Sequence, residues 1–264
     1  MISRTMPKAK TKRVRKKVVS SARARSHSQK HKAKTRRVSR APAGTRRSER
    51  SNGQPPTNLY PYHIERHGDV HWQIDRFRAF AGRIGQDNAA SLEKALSFAQ
   101  ERHRMQMRKG GSDYIIHPVR IANILFGEWG IKDADVLAAA LLHDVVEDTQ
   151  TTVKEIKDVF GDSIGRLVDG LTMWKGSETH DAYLRRIAKG SDRLRLIKCA
   201  DTLDNLRSWH ECVGEEREAF PRWWKQAHDL VLPMALRTSR AAARQLDDVL
   251  RDPWYQFQAQ CNGV

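Results

Sequence analysis

The stretch Ala134–Val146, ADVLAAALLHDVV, limits the fold more than any other part of the chain. From Ala134 to Leu142 every residue but Asp135 is apolar, so a helix built from them has no face suited to water. Such a helix must lie at the centre of its domain, with other elements on all sides. The flanking sequence supplies helices for that purpose. Leu92, Ala95, Leu96 and Ala99 fall at i, i+3, i+4 and i+7, one apolar face of a helix expected to run to the Gly110–Gly111 pair. Pro118 suits a first helical turn and predicts a second helix through Val119, Ile121, Ala122 and Leu125 to Phe126.

Further helices are predicted over 151–160 and 162–173. Thr151 or Thr152 would cap the first, with Glu155 three residues after Thr152. Asp181–Lys189 and Arg193–Cys212 follow, and one or two more within Glu215–Leu250, interrupted at Pro221 and Pro233. VHWQIDRFRAFAGRIG, from Val70, reads as a short surface helix. No alternating strand of useful length and no internal repeat is found, so the expected fold class is all-α.

Charge divides the chain. Of 48 Lys and Arg residues, 19 lie within Met1–Arg50, against a single acid, Glu49. The rest of the chain is close to neutral, so the net charge of +17 describes the first 50 residues, not the helical part. That segment has too little apolar area to offset the entropy of ordering it and is expected to be a disordered tail. Its cations would gain affinity for RNA, DNA or a ribosome by counterion release, although a solvated extension with no defined partner has the same composition. Residues 51–87 read as a linker with a possible accessory helix, 88–250 as the main helical domain and 251–264 as a C-terminal tail. No run approaches the ~20 apolar residues of a membrane span. Cys199, Cys212 and Cys261 have no metal-finger or redox spacing, which points to a reducing, cytoplasmic setting. Trp223, Trp224, Trp254, Tyr255 and Phe257 are not interleaved with a basic stripe, so they are expected to serve packing or an oligomer contact rather than base stacking. The oligomeric state is not legible.

Four segments concentrate groups that bind cations and polarise phosphate. Tyr114-Ile115-Ile116-His117-Pro118 places an imidazole at a helix entrance. His143 to Asp148 (HDVVED) closes the buried helix, with Glu147 one turn beyond His143 and Asp148 one turn beyond Asp144. Asp201 sits in the apolar helix LRLIKCADTLDNL, where an ionised carboxylate needs a partner. Arg108-Lys109 forms a cationic turn before two glycines. Singly, each has an ordinary explanation: a helix cap, a chance His-Asp dipeptide, a solvated turn. Together, buried His and Asp groups on separate apolar helices are costly unless a cation compensates them. Two imidazoles and two carboxylates suit Mn²⁺ or another octahedral divalent ion better than a thiolate-seeking one.

From Ala89 to Arg207 the chain resembles the hydrolase domain of the RelA/SpoT alarmone enzymes, within the HD (histidine–aspartate) superfamily. The resemblance rests on HRMQMRKGG (103–111), YIIHP (114–118), AALLHDVVEDT (139–149), Phe160-Gly161, LVDGLT (167–172) and LIKCADTLDNLR (196–207), in matching order and spacing. The chain is too short to add that family's synthetase and regulatory domains, so the expected counterpart is a stand-alone small alarmone hydrolase with an HD-domain helical bundle. The resemblance implies a Mn²⁺ ion held by His117, His143, Asp144 and Asp201, and a water positioned and activated by Glu147 and Asp148. It implies Arg108 and Lys109 at the guanine and phosphate end, with Tyr114, Asn205 and Ser208 lining the nucleotide pocket. The implied reaction is hydrolysis of guanosine 3′,5′-bis(diphosphate), ppGpp, or of pppGpp to GDP or GTP and pyrophosphate. Another phosphorylated nucleotide such as NADPH remains open as substrate, as does a nucleotide-sensing module acting through its basic tail. The chain departs from the family pattern at Thr202, where an Arg is usual, at Asp204, where a His is usual, at Met105, and over Gly110–Asp113.

Overall fold

A computed structural model describes residues 66–108, 110–209 and 218–252. The basic tail, residues 51–65 of the linker, Lys109, Cys212, Cys261, Trp254, Tyr255 and Phe257 lie outside the described residues. The domain is all-α: among the described residues the one β-type pairing is an isolated bridge between Met107 and Asp113. The helices are α1 Val70–Ala81, α2 Gln86–Arg102, α3 Ile116–Asn123, α4 Ala134–Leu142, α5 Val145–Asp148, α6 Val153–Phe160, α7 Asp162–Leu171, α8 His180–Lys189, α9 Asp192–Arg207, α10 Phe220–Gln226, α11 Leu232–Thr238 and α12 Arg240–Leu250. None of them is long and apolar enough to cross a membrane.

α4 is the axis of the domain. All its residues from Val136 to Leu142 are buried, and it packs against α2, α3, α7 and α9. α2 presents Leu92, Ala95, Leu96 and Ala99 to it, all with no exposure, which is the stripe read from the sequence. Polar side chains start the helices by accepting hydrogen bonds from free backbone N–H groups: Asp133 for α4, Thr152 for α6, Thr179 for α8 and Ser191 for α9.

Several boundaries differ from expectation. α2 stops at Arg102, well short of the glycine pair, because no apolar side chain continues its stripe beyond Ala99. The next residues instead close a loop on themselves: Arg108 N–H donates to Ser112 O at 2.8 Å and Tyr114 N–H to Gln106 O at 3.0 Å. The predicted continuous helix 134–146 breaks at His143-Asp144, and the backbone resumes as the short α5. α9 ends at Arg207 rather than Cys212. Pro233 does not interrupt its helix. A π-helical turn, Ala227–Val231, joins α10 to α11 and puts Pro233 in the first turn of α11, where its missing N–H costs little. The bend comes at Ser239, whose extended backbone separates α11 from α12.

Candidate functional site

Three helix segments converge where the apolar axis ends. The first turn of α3 carries His117, the C-terminal end of α4 carries His143 and Asp144, and the middle of α9 carries Asp201. His117 Nε2 lies 3.2 Å from Asp201 Oδ1 and 3.8 Å from Asp144 Oδ2, and His143 Nε2 lies 2.9 Å from Asp144 Oδ2. One donor atom from each of His117, His143 and Asp144 falls within 4.8 Å of the others, a spacing one metal ion can span. Asp201 joins this set through His117.

The outer partners orient the imidazoles. His143 Nδ1 is 2.8 Å from Ala140 O, and since a carbonyl only accepts, Nδ1 carries the proton. Nε2 of His143 is therefore the nitrogen turned inward, where it makes no well-aligned hydrogen bond although Asp144 Oδ2 lies 2.9 Å away. His117 Nδ1 is 2.7 Å from Asp204 Oδ2, again leaving Nε2 for the cluster. Tyr114 O–H donates to Asp144 Oδ2 at 2.5 Å, while Lys198 Nζ and Asn205 Nδ2 each donate to Asp201 at 2.7 Å. An inward-turned imidazole nitrogen facing two carboxylates fits a divalent cation of the nitrogen- and oxygen-binding kind.

The electrostatics agree with that fit. Burial opposes charge on His143, yet Asp144 outweighs it and holds the imidazole pKa up at about 9. Burial likewise opposes ionisation of Asp144 and Asp201, but His143 beside the first and Lys198 beside the second keep both carboxyls well below the ordinary range. In the metal-free protein the His143 imidazole and the Lys198 ammonium thus offset the two carboxylates, and a bound cation would take the place of the imidazole proton.

Beside it stand the two acids of α5. Glu147 Oε2 accepts from the Met173 N–H at 3.0 Å, and burial raises its pKa above the usual glutamate value. Asp148 Oδ2 accepts from Gln106 Nε2 at 3.2 Å, and Lys175 Nζ lies 3.5 Å from Asp148 Oδ1 and 3.9 Å from Glu147 Oε1. A cleft of about 620 Å³ exposes the cluster and both acids. Arg108, Tyr114, Asn205 and Ser208 line it as well. Arg108 Nη2 donates to Asn205 Oδ1 at 3.3 Å. Ser208 lies at the floor, its hydroxyl 2.7 Å from Arg120 Nη2 and 3.1 Å from His67 Nε2. A second pocket of about 360 Å³ adjoins the cleft, walled by Trp209, Phe220 and Trp223. Trp223 both packs edge-on against Trp209 and lines the cleft.

Residues 95–226, half of the chain, match the family model of the HD domain. The chain belongs to the HD-domain family. Within it, the chain is similar to proteins named guanosine-3′,5′-bis(diphosphate) 3′-pyrophosphohydrolase MESH1. The Danio rerio protein is 41% identical over 133 residues, covering 48% of this chain and 74% of that protein. The Homo sapiens protein is 43% identical over 132 residues, covering 48% and 74%. An Aquifex aeolicus protein named guanosine-3′,5′-bis(diphosphate) 3′-pyrophosphohydrolase is 35% identical over 156 residues, which span 22% of its length. A solved structure of a metazoan orthologue of SpoT, described as hydrolysing ppGpp and acting in starvation responses, matches with a TM-score of 0.55 and 34% identity. The match covers 61% of this chain and 94% of that one.

Five further side chains stand at the cluster or the cleft of this HD domain, none of them named among the candidates above. Lys198 was legible: a lysine three residues before Asp201 in an apolar helix shares its face. Arg120 lies within the buried α3 and needs an acid to tolerate it, a need met by Asp204. Lys175, His180 and Tyr183 reach the cleft from the 172–179 loop and α8, and nothing local marks them.

Proposed function

We propose that this HD domain hydrolyses ppGpp and pppGpp, releasing pyrophosphate and leaving GDP or GTP, with Mn²⁺ as its cation. The observation that carries the reading is the convergence of His117, His143, Asp144 and Asp201 beside Glu147 and Asp148, in a chain similar over its HD domain to proteins named for this reaction.

His117, His143, Asp144 and Asp201 would hold the ion, which supplies charge neutralisation at phosphate oxygens and makes a nearby water easier to deprotonate. Glu147 is the proton acceptor: its carboxylate is half-enclosed, fixed by the Met173 N–H and already more basic than usual. Asp148, anchored by Gln106, aligns the water. The new P–O bond forms to the phosphorus attached to the ribose 3′ oxygen; the bond from that phosphorus to the 3′ oxygen breaks, and the leaving oxygen takes up a proton. Lys198, Lys175 and Arg108 set positive charge around the cleft where the phosphates would lie, and charge placed in advance stabilises what develops in the transition state. Tyr114, Asn205 and Ser208, with Lys109, complete the nucleotide pocket in this reading. The free, buried thiol of Cys199 accords with a reducing cytoplasm, and the cations of residues 1–50 with a nucleic-acid or ribosomal partner.

The test is product analysis with the full chain, Mn²⁺ and ppGpp. Pyrophosphate should appear with wild type and not with Asp144→Ala. Orthophosphate in its place, or equal release by the variant, overturns the assignment.

A further inference from the structure

We propose that Asp204 is a positioning residue: backed by Arg120, it fixes the tautomer and ring orientation of His117 so that Nε2 faces the metal cluster. This rests on the metal reading of His117 given above. Where the resembling enzymes usually carry a histidine, this chain has a carboxylate with no exposure at all. Both its oxygens are engaged. Oδ1 accepts from Arg120 Nε at 2.8 Å, and Oδ2 accepts from Arg120 Nη2 at 3.0 Å and from His117 Nδ1 at 2.7 Å.

The chemistry of that grouping assigns the protons. Arg120 has donors alone and is permanently charged, so a carboxylate gripped by two of its N–H groups is held as an acceptor. Facing an acceptor, Nδ1 of His117 must carry hydrogen, which leaves Nε2 as the nitrogen available to an ion. That atom lies 3.2 Å from Asp201 Oδ1 and 3.8 Å from Asp144 Oδ2, on the side of the cluster. A carboxylate on the far nitrogen of a metal-binding imidazole sets its direction and basicity, and its loss typically weakens metal affinity 10- to 100-fold. Arg120 keeps the arrangement neutral. Without it, a second negative charge would lie enclosed behind His117. Arg120 is fastened in turn by His67 O at 3.1 Å and Ser208 Oγ at 2.7 Å, so the clamp ties α3 to the end of α9.

An ordinary buried ion pair serving only the fold is the competing explanation, and the domain offers an internal control. Arg207 and Glu128 form another enclosed pair, at 2.9 Å. Removing one member of a buried pair risks unfolding, whereas replacing both by apolar residues is often tolerated. The test therefore compares Arg120→Leu/Asp204→Leu with Arg207→Leu/Glu128→Leu in the full chain, both checked for folding by circular dichroism. Mn²⁺ binding to metal-free protein is followed by the electron paramagnetic resonance of free Mn²⁺, and the His117 tautomer by ¹⁵N NMR without metal. The first double variant should bind Mn²⁺ roughly 10- to 100-fold more weakly than wild type. It should also lose the pure Nδ1–H form of His117. The control should change neither. Asp204→Glu, which keeps the carboxylate, should recover part of the affinity. Unchanged Mn²⁺ affinity in the Arg120/Asp204 variant, or a His117 that stays wholly Nδ1–H in it, overturns the proposal. A wild-type protein that binds no Mn²⁺ overturns the metal reading instead, and the NMR result then decides on the clamp alone.

Discussion

Lys198 and Asp201, one turn apart on α9, meet at 2.7 Å with side-chain exposures of 12% and 9%. Burial works against the ammonium, but Asp201 outweighs it and raises the Lys198 pKa above the ordinary lysine value. The contact therefore places a permanent cation at the base of the cleft, 4.9 Å from the Tyr183 ring centre.

Lys198→Met removes that cation while keeping the length of the side chain. If Lys198 also binds a substrate phosphate, a charge-assisted hydrogen bond worth about 1.5–3 kcal/mol is lost, or roughly 10- to 100-fold in kcat/KM. Steady-state kinetics on ppGpp checks this. Unaltered kcat/KM in a folded variant would confine Lys198 to a structural role.

Metal removal gives a second expectation. Chelation should abolish pyrophosphate release, and Mn²⁺ should restore it. An ion that binds the folded chain alone stabilises it by about 2.7 kcal/mol at a hundredfold excess over its Kd. Thermal melts with and without Mn²⁺ should thus separate for wild type and coincide for Asp144→Ala. Coincident wild-type melts would count against the site.

For Glu147→Gln, a loss of general-base catalysis predicts a fall in kcat of roughly 10²- to 10⁴-fold with little change in Tm. The pH profile carries the sign. Glu147 accepts a proton only when ionised, and burial raises its pKa, so the ionised fraction shrinks as pH falls through that raised value. Wild-type kcat should decline on the acid side at a higher pH than an ordinary glutamate would give. The variant should lack that limb, and a variant keeping it would assign the base elsewhere.

Leu141 lies in the enclosed part of α4 with no exposure. Truncation to alanine leaves a cavity at the axis against which α2, α3, α7 and α9 pack, and is expected to cost about 2–5 kcal/mol. Chemical denaturation measures it. A cost below 1 kcal/mol would mean the helices can close the gap.

The apolar run from Ala134 to Leu142 and the stripe Leu92, Ala95, Leu96, Ala99 were enough to establish an all-α domain with a buried axis, because helical periodicity is a local property of the chain. The same sequence marked His117, the 143–148 segment and Asp201 as groups too polar for their apolar surroundings. What it could not show was which polar atoms face one another across helices. The clamp of Arg120 and Asp204 on His117 spans 84 to 87 residues of chain, and the approach of Arg108 to Asn205 spans 97. Lys175 reaches the two acids of α5 from a loop with no pattern of its own. Likewise, the 106–114 loop is closed by backbone hydrogen bonds from Arg108 to Ser112 and from Tyr114 to Gln106, pairings that the Gly110–Gly111 signal did not specify. Such pairings depend on where helices cross, and that is decided by packing among residues distant in the chain rather than by the residues that pair.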